Sequence, residues 1–257
     1  MKNAIFSYFL PAAGVDKLKH YRGLDGIPEW GIRASSYFQK YANIHGVDYH
    51  FSTESYCNAR SNYFEICRVY LDPMFDQYDK VLFVDLDVVP KDMSANIFDI
   101  DVIDIAGWPE FKHTKIKGDP KWDDNPPLRA RFEHFGAPMI KPKTATDNST
   151  RMLNTGVLLW SKEARLKARE SFDHFEDWFG YKNKLLEPGK WEDFGHSSYC
   201  LDQPFLNAMF NKFNFDVLEL DYKWNRFPTK DENEPCYFAH YLGKDGKNVI
   251  LDVFPEL

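Results

Sequence analysis

The sequence predicts an α/β chain with a mixed, mostly parallel central sheet and helices on both faces. Three observations carry this. Strand-like apolar runs alternate with segments of helical period through the first ninety residues, a β-α-β-α-β order. Val81 to Val84 are apolar without alternation, the pattern of a strand covered on both faces. The 257 residues, 44% hydrophobic, suffice for one large core, and no repeat or linker divides them, so residues 1–257 are read as a single domain.

The elements follow in order. "AIFSYF", within Asn3–Phe9, reads as a buried first strand. In "WGIRASSYFQKYANIHG", Ala34, Tyr37, Phe38 and Tyr41 recur at i, i+3, i+4 and i+7, which predicts an amphipathic helix with Gly46 as its stop. "VDYHF" is a second strand. Phe64, Cys67, Leu71 and Phe75 predict a helix from Asn58 to about Phe75, and "KVLFVDLDVVP" a third strand from Lys80 to Pro90. "VIDIAGW", Val102 to Trp108, reads as a fourth. From Pro109 to about Arg151 the chain is polar and Pro-rich without periodicity, as in a flap or acceptor loop, with short helical pieces near "RARFEHF". "MLNTGVLLW" returns to strand. Ser161 is a candidate N-cap for a helix through Phe179, with Ala164, Ala168, Phe172, Phe175 and Phe179 on one face. "LDQPFLNAMF" is a helix that Asp202 can cap, with Pro204 in its first turn. "FDVLEL", "CYFAHY" and "VILDVF" read as short strands.

Composition narrows the function. The net charge of −7 and the lack of a long basic run argue against a nucleic-acid partner. Four cysteines, none in a CxxC pair, are expected as reduced thiols. The opening "MKNAIFSYFLPAAG" is too short for a transmembrane helix and weak as a signal peptide, so a cytoplasmic location is expected. The "NST" sequon at Asn148 is then a chance spelling. Aromatics reach 17%; heavy use of Phe and Tyr in the core is favoured over rings that stack on a ligand.

The sharpest feature is the pair Asp85 and Asp87. In a strand both point to one face with Leu86 opposite, Cβ atoms roughly 6–7 Å apart. Two like charges at the end of a buried strand repel, and their desolvation costs on the order of several kcal/mol each. A divalent cation removes both problems. Ligands of open parallel sheets bind beyond the carboxyl ends of strands, where these acids sit. Mg²⁺ and Mn²⁺ prefer oxygen ligands and often share them with substrate phosphates. A nucleoside diphosphate is therefore the natural partner. Simple protrusion of both acids into water is the plain alternative.

The string "CRVYLDPMFDQYDKVLFVDLDVV" resembles a segment of GT-A-fold (Rossmann-like) glycosyltransferases, family 8 in particular. "LNTGVLLW", "LDQPFLNAMF" and "FAHYLGKDGK" resemble three later family segments, in order, and "KWN" (Lys223–Asn225) fits the stretch before the last. "YANIHGVDYHF" is similar to a phrase of related GT-A sugar transferases. Together these span about Ala42–Lys247. The resemblance implies a retaining, Mn²⁺- or Mg²⁺-dependent transfer from a nucleotide-sugar donor, UDP-glucose or UDP-galactose first, to a glycan or other hydroxyl acceptor. It implies Asp85, Asp87 and His240 as metal ligands, with Asp85 also facing the donor. Arg68 would face the donor diphosphate or sugar. Asn154 and Gly156 would lie under the donor sugar, and Asp202 and Gln203 beside its anomeric carbon. Ser7 and Tyr8 would approach the base. Gly243 belongs to the closing motif, where Lys244 is early and Lys247 one place late for the diphosphate lysine; the usual "PW" is missing, and the insertion from Pro109 has no family counterpart. "LFVDLDVVP" also resembles the first motif of haloacid-dehalogenase-type phosphatases, with Asp85 as nucleophile and Asp87 as acid/base. A non-catalytic nucleotide- or glycan-binding GT-A domain is the third reading.

Overall fold

The computed structural model describes residues 1–11, 26–59, 61–113, 140–141, 150–180, 202–228 and 234–257, with backbone alone at 110–113, 150, 179–180 and 244–245. Its main strands are β1 (Asn3–Tyr8), β2 (Asp48–Ser52), β3 (Lys80–Val84), β5 (Ile105–His113), β6 (Thr150–Ser161) and β7 (Val217–Glu219). They form a sheet of order β2-β1-β3-β6-β5-β7. β1 runs parallel to β2 and β3, and β5 parallel to β7; β6 is antiparallel to both its neighbours. β4 (Val88–Pro90) and β8 (Phe238–His240) form a separate antiparallel ladder.

The unbroken apolar run of β3 is covered on both faces, as its sequence predicts. Val81 and Phe83 pack into one cluster with Phe6, Trp160 and Met209. Leu82 and Val84 pack into another with Ile5, Phe38 and Leu159. Each such buried side chain contributes roughly 1.5–3 kcal/mol. Helix α1 (Glu29–His45) covers the second face with Phe38, Tyr41 and Ala42, and stops at Gly46, whose φ of 63° is the left-handed conformation glycine adopts without strain. Helix α5 (Asp202–Lys212) covers the first face through Phe205, Leu206 and Met209, downstream of α2 (Arg68–Leu71), α3 (Lys162–Ser171) and α4 (Phe175–Gly180).

Several elements differ from expectation. The strand expected over Lys80–Pro90 stops at Val84. Val88 N donates to Asp85 O at 3.0 Å, so the aspartates lie in a turn, and β4 leaves to pair elsewhere. The helix expected over Asn58–Phe75 is two 3₁₀ turns, Asn62–Cys67 and Pro73–Gln77, around the four-residue α2. Pro73 forces Asp72 out of helical geometry (ψ 116°), and the Asp72 carboxylate accepts from Met74 N at 2.9 Å. Ser161 does cap α3, accepting from Ala164 N at 3.0 Å. The helix then breaks at Phe172, which packs against Tyr70 and Phe215, ring centroids 5.3 and 5.1 Å away. "VILDVF" is not a strand. It ends α6 (Gly243–Val253), whose Val249, Ile250 and Val253, with Phe254, pack against Trp30, Ala34 and Tyr37 of α1. β5 begins at Ile105 and continues past Trp108 to His113, with register shifts around Pro109. Of the expected insertion, residues 114–139 and 142–149, with "RARFEHF" and the Asn148 sequon, lie outside the described residues, as does Cys200; Ile140 bridges to Arg151 of β6. Cys57, Cys67 and Cys236 are free. Among the described residues no helix is long and apolar enough to cross a membrane.

Candidate active site

The turn after β3 and the end of β8 meet because β4 and β8 pair. Val88 stands opposite His240, and Tyr241 N donates to Asp87 O at 2.8 Å. This brings His240 Nε2 to 3.2 Å from Asp87 Oδ1 and 3.9 Å from Asp85 Oδ2. One donor atom from each of the three residues lies within 4.8 Å of the others. On the β6 side, Asp85 N donates to Gly156 O at 2.9 Å. A Cβ at Gly156 would stand 2.9 Å from Asn154 Oδ1 and 3.0 Å from Asp85 Oδ2, and closer still to His240 Cε1. The glycine is what lets the strand lie flush against the cluster.

The donor set suits a divalent cation: two carboxylates and one imidazole, converging from separate elements. Electrostatics agree. Burial, then the charge on Asp87, raise the Asp85 carboxyl to about 6, against His240 and Lys247. Because 42% of the Asp85 side chain remains open, solvent screens part of this effect. Burial also opposes ionisation of Asp87, but His240 and Lys247 outweigh it and hold that carboxyl well below its usual range. The Lys247 ammonium lies 3.0 Å from Asp87 Oδ2 and 5.0 Å from the Trp30 ring centroid. Lys247, on α6, thus reaches the cluster; the Lys244 side chain lies outside the described residues. Gly243 opens α6 with φ of 71°, a conformation other residues rarely take.

A second group adjoins the first. Asn207, in α5, grips β6 as a strand would: Leu153 N donates to its Oδ1 at 2.8 Å and its Nδ2 donates to Leu153 O at 3.0 Å. This fixes the start of α5 beside Asn154 and Thr155. Asn154 Nδ2 and Thr155 N both donate to Gln203 Oε1, at 3.4 and 3.3 Å. Thr155 Oγ1 donates to Asp202 Oδ2 at 2.9 Å. Burial, then the charge on Asp85, raise the Asp202 carboxyl to about 7, against the Thr155 bond. A raised folded-state pKa stabilises the fold in the protonated form. That contribution is complete below the ordinary value of 3.8 and is lost as pH rises through about 7. Asp202→Asn cannot ionise and can still accept from Thr155. Metal-free Asp202→Asn is therefore expected to melt above the wild type at pH 8 and level with it at about pH 3.5, by scanning calorimetry. A variant melting at or below the wild type at pH 8 contradicts this.

Of the remaining sequence-predicted residues, Ser7 and Tyr8 lie at the carboxyl end of β1, which runs parallel to β3, and so at the same end of the sheet as the aspartate turn. Ser7 is 1% exposed in β1, paired with Phe51 of β2. Tyr8 donates to Tyr63 O at 3.3 Å. Arg68 contacts Asp72 Oδ2 at 2.9 Å and Ser52 Oγ at 2.8 Å, with the Phe6 and Tyr56 rings beside it. These contacts of Arg68 run to the ends of β1 and β2 rather than to the carboxylate cluster. Two further residues join the site without a role assigned from sequence. Thr155 holds Asp202. Asn225 is fully buried, and its Oδ1 lies 2.8 Å from His240 Nδ1. The signal for Asn225 was the string "KWN", which carries no chemistry of its own.

The family model described as glycosyl transferase family 8 matches residues 33–244. No curated protein matches the chain. Among solved structures, a glycosyltransferase involved in glycosylation of the major capsid of PBCV-1 is 13% identical, over 98% of this chain and 100% of that one, with TM-score 0.51. The galactosyltransferase LgtC, solved with donor and acceptor sugar analogs, is 14% identical, over 99% of this chain and 97% of that one, with TM-score 0.49. At such identities the first likeness bears on the fold alone, and it agrees with a GT-A sheet. The family match spans most of the chain and takes in the aspartate turn, Gly156, the Asp202–Gln203 helix start and His240, so this glycosyltransferase belongs to glycosyl transferase family 8.

Proposed function

We propose that the protein transfers a hexose from a nucleoside-diphosphate sugar, UDP-hexose first, to an acceptor hydroxyl with retention of configuration, and that Asp85, Asp87 and His240 hold Mn²⁺ or Mg²⁺ for this. The observation that carries the reading is the convergence of these three side chains beyond the carboxyl end of β3. When bound, the cation supplies a Lewis acid that offsets charge on the departing diphosphate. Lys247 brings the chain's own positive charge to the same place and stabilises the leaving group. Ser7, Tyr8 and Arg68 take the donor's base and phosphate side in this reading, and Asn154 and Gly156 line the sugar, with Gly243 giving the closing loop its turn. An oxocarbenium-like sugar is expected. Gln203 is held by its carbonyl, so its amide orients rather than attacks. Asp202 can hold or accept a proton at its carboxylate near neutral pH. The acceptor is a glycan or another hydroxyl compound. The phosphatase reading of the same aspartates is not favoured by the family.

Melting in the presence of Mn²⁺, UDP-hexose and both together tests this. A ligand at a hundredfold its dissociation constant stabilises by about 2.7 kcal/mol. The pair should raise the melting temperature by more than the sum of either alone, with slow UDP release in the absence of acceptor. Vigorous p-nitrophenyl phosphate turnover with Mg²⁺, or donor binding without turnover across an acceptor panel, would overturn the proposal.

A further inference from the structure

The hydrogen bonds around His240 can be assigned from backbone groups that only donate. Gly156 N donates to one side-chain atom of Asn154 at 3.0 Å, which makes that atom the carbonyl oxygen, Oδ1. The partner of the same oxygen in Asn225, 2.8 Å away, must then be the donor Nδ2. The other end of the Asn225 amide is Oδ1, an acceptor, and it faces His240 Nδ1 at 2.8 Å. Nδ1 therefore carries the proton. Thr155 N anchors the same chain independently: it fixes Gln203 Oε1 as an acceptor, so that Asn154 presents its Nδ2 there, the orientation already derived. Amide orientation is normally inferred from the best network; here two main-chain donors fix it. The residues linking the two ends are deeply buried: Asn225 is 0%, Asn154 6% and His240 2% exposed. Water has little access to replace a missing bond.

We propose that Asn225 is a positioning residue of the metal centre, holding the Nδ1 proton of His240 so that Nε2 is the ring nitrogen turned to Asp85 and Asp87 for the cation. Nε2 is thereby left to meet Asp85 and Asp87, where a cation can take its lone pair. The same amide ties His240 through Asn154 to Gln203, so the ligand and the sugar-side amide share one rigid chain. Such an outer partner orients a ligating histidine and sets its basicity. This inference rests on the metal reading above, not on transfer.

The test is Mn²⁺ affinity of the full chain, read from the electron paramagnetic resonance of free Mn²⁺, for wild type, Asn225→Ala and Asn225→Asp. Loss of an outer-shell partner typically weakens metal binding about 10–100-fold, and that is the expectation for Asn225→Ala. The carboxylate introduced by Asn225→Asp can still accept the Nδ1 proton but cannot donate to Asn154 Oδ1, so that variant should lose less affinity than Asn225→Ala. Equal affinity in wild type and Asn225→Ala, or equal losses in the two variants, would overturn the proposal while leaving the transferase reading intact. A wild type that binds no Mn²⁺ would overturn both. Should either variant fail to fold, a long-range ¹H–¹⁵N correlation of wild-type histidines with Mg²⁺ present decides the matter: a proton on His240 Nδ1 supports the assignment, one on Nε2 refutes it.

Discussion

Asp87→Asn is expected to abolish metal-dependent UDP release. Asp87 is the carboxylate with the most positive surroundings in the site, 3.2 Å from His240 Nε2 and 3.0 Å from Lys247 Nζ. It is also the acid most firmly held ionised, since His240 and Lys247 overcome the cost of its burial. The amide keeps its shape and removes its charge. A Lewis-acid cation contributes several kcal/mol to such a reaction; at about 1.36 kcal/mol per decade, two to three powers of ten in rate should go with it. The stability signature is separate. A depressed pKa means that Asp87 stabilises the fold above its unfolded value of 3.8 and ceases to do so as pH falls through the lower folded value. Metal-free Asp87→Asn should thus melt below wild type at pH 7. Added Mn²⁺ should shift wild type and leave the variant where it was. UDP release within a few-fold of wild type would contradict the assignment.

Gly156→Ala should damage the same site without touching a charge. The added methyl would lie 2.9 Å from Asn154 Oδ1 and 3.0 Å from Asp85 Oδ2, and nearer than either to His240 Cε1. None of these neighbours can yield cheaply. His240 is locked in β8 and bonded to Asn225, and Asp85 is tied by its own N–H to Gly156 O at 2.9 Å. Overpacking of this kind costs about 1–3 kcal/mol, a fall of roughly 2–12 °C in melting temperature for a chain of this size. Mn²⁺ affinity should fall with it. Gly107→Ala is the control. Its Cβ would meet Leu158 Cδ2 at 2.7 Å and Leu153 Cδ1 at 3.2 Å, the ends of flexible side chains. It should lower stability and leave Mn²⁺ affinity intact. Equal Mn²⁺ binding by Gly156→Ala and wild type would show that the cation does not sit where these three side chains meet.

What the sequence makes legible follows from the range of each signal. The run Val81–Val84 and the period of Ala34, Phe38 and Tyr41 are local patterns with a single packing solution; the helix forms as read, and the strand forms over its apolar run and stops at Val84. "VILDVF" is six residues, too short for period to separate strand from helix; contact with α1 decides it. The break at Asp72 was written in the sequence as Pro73, and the aromatic period on either side masked it. The aspartate turn leaves no mark on hydropathy, because Asp85 and Asp87 are polar in strand or turn alike. Their partnership with His240 depends on the β4–β8 ladder, which joins segments 152 positions apart in register (Val88 with His240). Asn225 is further from view: its partners lie 15 and 71 residues away. No spacing rule reaches that far. Resemblance could supply His240 because a family motif surrounds it, whereas Asn225 becomes visible only through its hydrogen bonds.

The central claim is that Asp85, Asp87 and His240 together hold the divalent cation that carries the nucleotide sugar. Anomalous diffraction from crystals grown with Mn²⁺ and UDP measures it directly. A single strong manganese peak bonded to one oxygen of each aspartate, to His240 Nε2 and to the diphosphate is the predicted result. Nucleotide bound with no manganese among these three side chains, or manganese held elsewhere on the chain, would contradict it.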